Sequence, residues 1–547
     1  MSIRPEALKH ASLSQPPSNY IDGRWVPLPG DGAGVIESRN PAHPDQVVWR
    51  GACPKGAVGE AVAAARRAFP AWSRWGRDNR FRVLKRFAEL CKKHQQRMAD
   101  LICDETGKVM WEAKGEAAAL ASKVDITLDT SPIGGLARVN GYEFELGAAG
   151  GGGQKTARCW FKPHGVMSVV GPFNFPAHLP NGHIIPALAM GNCVIFKPSD
   201  KAPGVGQLLV ELLVEALIVE GAPDKGRGVV SLVQGGADVA GELTAHPDID
   251  GVLFTGSWPV GRRIMEANLD RPGRIIALEL GGNNPVVVMP DADLRQSAIE
   301  IVRCAFNTTG QRCTSTRRVI AHNLVSDRLF RAIAKAAERL VIDTPRAAPL
   351  GGVFMGPIIN EAAQKAVISF QEHCAKAGAE ILLSARAFGV KQAGRTKEEG
   401  YYVSPSVIKV NRFTNTEWNP KGAAFDPGCD HEVFGPLLRM CEVRTLDEAI
   451  EQANATRYGL AASIFTKDQA AAERFMLECR AGCLNINAGT AGASSKLPFG
   501  GLGLSGNHRP AGSFSLDYCA YPVAGMIERG ETAQVADGMR WEDTWSR

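Results

Sequence analysis

Hydrophobic positions along this chain recur first on a helical period and then in short runs, and the change divides it into regions. Over 57–69, Val58, Val62, Ala65 and Phe69 fall on one face of a 3.6-residue period, which predicts a helix closed by Pro70. Helices are also predicted over 77–104 and 111–127. Gly147 and the run Gly150-Gly151-Gly152-Gly153 read as a surface connection, because adjacent glycines bring no side chains to a core.

From residue 166 short apolar runs alternate with helical segments. Strands are predicted at 166–170, 193–196, 229–233, 252–254 and 275–278, with helices at 186–189, 205–219, 239–245 and 259–267 between them. Such a βαβ series builds an open, mostly parallel sheet with helices on both faces, which binds ligands at the carboxyl ends of its strands. A second α/β series starts at Pro285, includes a long helix over 326–340 and ends near Ile486. Residues 411–430, rich in Asn, Gly and Pro, read as a long surface loop, and the polar residues from Glu528 onward read as poorly ordered.

Composition narrows the class. With 547 residues the chain exceeds a single core, which stops growing near about 250–300 residues, so at least two domains are expected. The net charge of +5 comes from 62 basic and 57 acidic residues without a basic block, which argues against a nucleic-acid partner. The N-terminus has no secretory apolar run, and no stretch reaches the roughly 18 apolar residues of a membrane span, so a cytoplasmic protein with no membrane partner is expected. Thirteen cysteines, an odd number without metal-ligand spacing, fit reduced thiols, and no metal is expected.

Two motif-like stretches carry little. Gly501-Leu502-Gly503-Leu504-Ser505-Gly506 fits G-x-G-x-x-G but follows no strand and runs into Pro510, so it lacks the strand–turn–helix context of a dinucleotide fingerprint. His431-Glu432 begins H-E, but Gly435 stands where a zinc motif needs its second histidine.

Three segments carry candidate chemistry. In Asn307-Thr308-Thr309-Gly310-Gln311-Arg312-Cys313-Thr314, a cysteine sits beside an arginine, and a neighbouring cation favours the nucleophilic thiolate. Glu279 ends an apolar strand before Gly281-Gly282; a carboxylate there is either a buried salt bridge or a functional acid or base. Asn174 lies between two prolines in Gly171-Pro172-Phe173-Asn174-Phe175-Pro176, either as an ordinary turn asparagine or as a rigidly held amide.

Taken together with Phe196-Lys197-Pro198-Ser199, Phe254-Thr255-Gly256-Ser257, Glu432-Val433-Phe434-Gly435-Pro436 and Pro498-Phe499-Gly500-Gly501, these segments resemble the aldehyde dehydrogenase superfamily over nearly the whole chain. A finer resemblance, to the N-succinylglutamate 5-semialdehyde dehydrogenases of arginine catabolism, rests on His178-Leu179-Pro180-Asn181-Gly182-His183, Gly281-Gly282-Asn283-Asn284-Pro285, Gly506-Asn507-His508-Arg509-Pro510 and Asp517-Tyr518-Cys519-Ala520. It departs at Asn485-Ile486-Asn487-Ala488, where that group usually has Asn-Trp-Asn-Lys.

The resemblance implies an α/β fold. A Rossmann-like NAD(P)-binding domain would span 1–141 and 162–281, and a second α/β catalytic domain 282–486. A small β extension, 142–161 and 513–527, would pair subunits into a homodimer or homotetramer. It implies Cys313 as nucleophile, Asn174 as oxyanion donor and Glu279 as general base. Lys197, Ser199, Asp200, Gly256, Ser257, Gly261, Glu432 and Phe434 would serve the cofactor, NAD with NADP left open. Arg312, Gly492 and Ser494 are the candidate substrate contacts, and Arg509 either meets a substrate carboxylate or lies in an interface. The implied reaction turns an aldehyde into a carboxylate. N-succinyl-L-glutamate 5-semialdehyde is the first candidate substrate; glutamate or succinate semialdehyde, or a broad aldehyde range, is the alternative. A CoA-acylating enzyme would lack Glu279, a cysteine hydrolase would need a histidine partner for Cys313, and a non-catalytic relative would have lost one of the three residues.

Overall fold

The computed structural model describes residues 11–146, 155–391, 398–418, 425–528 and 535–547. The glycine run at 147–153 and the centre of the 411–430 loop lie outside the described residues. Two seven-stranded sheets form the body. The first runs in the order Ile275–Glu279, Gly251–Thr255, Val166–Val170, Cys193–Lys197, Val230–Leu232, Ser18–Ile21, Arg24–Pro27. Its five α/β strands pair in parallel, and the N-terminal hairpin is added antiparallel. They are apolar and, apart from the first turn of Ile275–Glu279, buried throughout, as expected of strands covered on both faces.

Strand order reverses between Val166–Val170 and Gly251–Thr255, because successive crossovers run one way from the first and the opposite way to the second. That reversal opens a crevice at the carboxyl ends of the strands. Beyond Glu279 the chain passes through Leu280, Gly281, Gly282 and Asn283 straight into Asn284–Val288, the first strand of the second sheet. In that strand and its neighbour, Val287 and Ile320 join one apolar cluster while Val286, Val288 and Val319 join another, so the second sheet is also covered on both faces. Lys155–Pro163, flanked by Tyr142–Leu146 and Ala520–Glu528, makes a separate three-stranded antiparallel sheet. No described helix is long and apolar enough to cross a membrane.

Several boundaries differ from the sequence expectation, each for a local reason. Pro70 does not close its helix, which runs Ala57–Arg74; the following turn buries Trp72 completely, and that burial outweighs one missing N–H donor. The segment expected as one helix over 77–104 breaks at His94 into Arg77–Lys93 and Gln95–Thr106. The short helix at 186–189 is the end of a longer one, His178–Met190, with Pro186 inside it. Ser513–Tyr518 is a 3-10 turn rather than a strand; Ser513, Ser515, Leu516 and Tyr518 are buried and the strand starts at Ala520. The described ends of 411–430 are not a free surface loop, since Phe413, Cys429 and Asp430 are buried.

The Pro70–Trp72 balance has a testable sign. Trp72→Ala should lower stability by about 3–5 kcal/mol, whereas Pro70→Ala, at an exposed helical position, should raise it by on the order of 1 kcal/mol. Denaturant midpoints check both, and a loss of stability in Pro70→Ala would contradict this account of the helix.

Candidate active site

The crevice at the reversal is closed by the loop that carries Cys313. After the helix Leu294–Phe306, Thr308, Thr309 and Gly310 all take left-handed backbone angles and throw the chain back on itself. Glu112, on the helix Met110–Leu128, holds this turn: its carboxylate accepts hydrogen bonds from the Thr308 N–H (3.1 Å), the Thr308 hydroxyl (2.9 Å) and the Arg312 guanidinium (2.6 Å). From the other side, the Asn284 amide donates to the carbonyls of Cys313 (2.7 Å) and Ser315 (2.8 Å). Gly282 must be a glycine, because a Cβ there would stand 2.7 Å from the Cys313 carbonyl oxygen.

Cys313 and Glu279 face one cavity of about 180 Å³, together with Thr255, Phe175, His178, Lys123 and the loop around Ser494. Glu279 ends its strand with one oxygen accepting from the Ala511 N–H at 3.2 Å and the other without a partner among the described residues. Burial with a single hydrogen bond holds its carboxyl well above the usual carboxylate range. Burial also pushes the Cys313 thiol up to about 12, with the Glu279 and Glu432 carboxylates adding to the shift. Asn174 sits in the turn after Val166–Val170; its side-chain amide donates to the Gln311 carbonyl at 2.9 Å, and its main-chain carbonyl accepts from the Lys108 ammonium at 2.7 Å. The second amide hydrogen of Asn174 has no acceptor among the described residues, and Asn174 stands behind the residues that line the cavity, not among them.

The arginine beside the thiol plays a different part from the one expected. Arg312 is ion-paired to Glu112 and lies over the Phe175 ring, 5.2 Å from its centre. Its charge is therefore neutralised within the loop. It positions the turn rather than favouring the thiolate, and it also lines the cavity, where it was expected as a substrate contact. Gly492 is exposed and does not line the cavity, whereas Ser494 does. Ile486 and Ala488, the departures noted in sequence, are not on the cavity wall either.

The expected cofactor residues gather at the same strand ends. Lys197 ends Cys193–Lys197, almost fully buried, and burial pushes its ammonium down to about 8. Ser199 and Asp200 follow it, with Asp200 half-exposed and 3.5 Å from Lys201. Gly256 and Ser257 form the turn between Gly251–Thr255 and Trp258–Glu266. Glu432 is part-buried and accepts from the Gly282 N–H at 3.1 Å; a Cβ on Gly281 would stand 1.9 Å from its other oxygen. Phe434 packs edge-on against Phe173, with ring centres 5.9 Å apart. Gly261 is explained by packing instead, since a Cβ there would come 2.9 Å from the Leu280 side chain.

Glu112, Lys123, His178 and the buried Lys108–Glu116 ion pair (2.5 Å) were not singled out from sequence. A signal existed: Glu112, Glu116 and Lys123 interrupt the face of the Met110–Leu128 helix that carries Ala113, Ala117, Leu120 and Val124. Charges on a buried face need partners, and partners can be functional.

A thiol whose folded value is raised stays neutral until the pH passes that value. Without cofactor, alkylation of Cys313 by iodoacetamide should therefore keep accelerating above pH 9. A plateau below pH 8, followed by mass spectrometry of the Cys313 peptide, would contradict the described electrostatics.

Residues 28–522 match the aldehyde dehydrogenase family. The chain is 41% identical over 504 residues to an N-succinylglutamate 5-semialdehyde dehydrogenase of Sphingopyxis alaskensis, covering 92% of this chain and 96% of that relative. The fold is similar to a crystal structure of an NAD-dependent aldehyde dehydrogenase from Sinorhizobium meliloti, with a TM-score of 0.80 and 30% identity over 94% of this chain and 95% of that one. It is also similar to an NADP-dependent glyceraldehyde-3-phosphate dehydrogenase from Bacillus halodurans, with a TM-score of 0.78 and 28% identity over 94% and 99% of the two chains. The chain belongs to the aldehyde dehydrogenase family.

Proposed function

We propose that this enzyme oxidises N-succinyl-L-glutamate 5-semialdehyde to N-succinyl-L-glutamate through a thioester on Cys313, with NAD as the preferred oxidant. The observation that carries the chemistry is the pairing, in one cavity, of a part-buried thiol with a carboxyl that has raised proton affinity and one oxygen without a partner among the described residues. The substrate reading is supported by the named relative at 41% identity.

The Cys313 sulfur attacks the aldehyde carbon as its proton passes to the Glu279 carboxylate and on to solvent. The oxygen that becomes negative is met by the free Asn174 amide hydrogen and by the Cys313 N–H, which has no acceptor among the described residues. Each such donor is worth roughly 3–4 kcal/mol in rate. NAD or NADP, when bound, supplies the hydride acceptor that leaves a thioester on Cys313. Glu279 then takes a proton from water as the water oxygen attacks the thioester carbon; the carboxylic acid leaves and the thiolate returns. A carboxyl with raised proton affinity suits that task near neutral pH. It also favours water over CoA as acyl acceptor.

The residues present fit a dinucleotide. The Lys197 ammonium is buried without a hydrogen-bond partner among the described residues, a state that an acceptor such as a ribose hydroxyl would relieve. Lys197, Ser199, Asp200 and Glu432 would hold ribose hydroxyls, the turn at Gly256 and Ser257 the pyrophosphate, and Phe434 a wall of the crevice. Asp200 repels a 2′-phosphate, which favours NAD, although Lys201 beside it softens that preference. The three-stranded sheet leaves Tyr142, Phe144 and Met526 exposed, which supports its use as a subunit contact in a homodimer or homotetramer.

The test is a kcat/KM panel with NAD and NADP on N-succinylglutamate, glutamate and succinate semialdehydes and an uncharged aliphatic aldehyde, with Cys313→Ser as control. The succinylated substrate with NAD should lead by more than about tenfold, the value of one charged hydrogen bond, and Cys313→Ser should be inactive. Equal or better turnover of the aliphatic aldehyde would overturn the substrate assignment; an active Cys313→Ser would overturn the mechanism.

A further inference from the structure

Two buried lysines lie on the Met110–Leu128 side of the cavity, and they are satisfied differently. The Lys108 ammonium is paired with Glu116 at 2.5 Å, so its charge is balanced within the protein. Lys123, on the same helix as Glu116, is 3% exposed. Its ammonium donates to the Gly512 carbonyl (2.6 Å) and the Ser515 hydroxyl (3.2 Å), both neutral. Among the described residues no carboxylate lies within ion-pair distance of it, and one of its three hydrogens is left over.

A buried ammonium without a counter-charge is unfavourable unless something else supplies one. Lys123 lines the same cavity as Cys313 and Glu279. So does His178, whose buried Nδ1 has no partner among the described residues and whose ring is kept neutral by burial, with Lys123 near enough to add to that shift. His183, also on the wall, is already held between the Tyr518 hydroxyl and Thr255. The cavity thus has a reacting pair, Cys313 and Glu279, and a separate donor pair, Lys123 and His178.

We infer that Lys123 is a specificity-determining residue, its ammonium receiving a carboxylate carried by the aldehyde substrate, with His178 Nδ1–H as the second donor. The inference rests on the proposed oxidation at Cys313 for its kinetic arm, and it makes the substrate class an aldehyde that bears a carboxylate. The alternative role for Lys123 is a purely structural tie to the Gly512–Ser515 turn.

The experiment compares the native enzyme with Lys123→Met and His178→Leu. Two quantities are read: the ratio of kcat/KM for succinate semialdehyde to that for an uncharged aldehyde, and protection of Cys313 from iodoacetamide by succinate. The ratio should fall by about thirtyfold in Lys123→Met, the loss of one charged hydrogen bond, and by less in His178→Leu. Succinate should protect the native thiol and fail to protect that of Lys123→Met. If both substrates lose activity in proportion, or the ratio and the protection are unchanged in both variants, the inference is overturned. If Lys123→Met does not fold, His178→Leu carries the same test. If the native enzyme oxidises no aldehyde, the proposed function fails, while the protection arm still decides whether Lys123 binds a carboxylate.

Discussion

The structure turns on one unfavourable placement: a carboxyl, Glu279, buried at the end of a strand with one hydrogen bond and one oxygen left without a partner among the described residues. A charge in that position has no compensating ion pair, so the group holds its proton more tightly than a free carboxylate. Nothing in packing requires it; an apolar residue would suit a buried strand end better. It lines one cavity with Cys313, where the proposed reaction needs a group that accepts a proton from water.

The rest of the architecture serves to bring those two groups together from different sheets. Glu279 is the last residue of the first sheet, and the four residues after it lead into the second. Gly281 and Gly282 let the crossing pass within contact of Glu432 on one side and the Cys313 carbonyl on the other. Glu112 and Asn284 then fix the Cys313 turn from opposite sides, so its left-handed residues are held by hydrogen bonds from separate elements. Strain of that kind survives only where the surroundings over-determine it.

Much of this was legible in the sequence, because the decisive residues sit at ends of strongly patterned elements. The buried strands read as unbroken apolar runs, and Glu279 and Lys197 stand where those runs stop. Cys313 and Asn174 lie in turns whose prolines and glycines mark them. The misreadings have physical causes. In sequence Arg312 neighbours Cys313, whereas its guanidinium reaches several ångströms and pairs with Glu112 on the Met110–Leu128 helix. Pro70 was read as a terminator, but a buried tryptophan two residues on overrode it. Ser513–Tyr518 alternates like a strand yet turns as a 3-10 segment, since Leu516 and Tyr518 join the apolar core of the first sheet and its helices. Lys123 and His178 were missed because their role arises only when a helix, a turn and the cavity are seen together.

The central claim is that Cys313 carries the acyl group and Glu279 delivers the water that releases it. Rapid mixing of Glu279→Gln with NAD and the semialdehyde, followed by acid quench and intact-protein mass spectrometry, tests it most directly. The account predicts a burst of NADH of about one equivalent per active site and a protein mass raised by the acyl group, located on the Cys313 peptide. An unmodified protein that turns over at the native rate would contradict it.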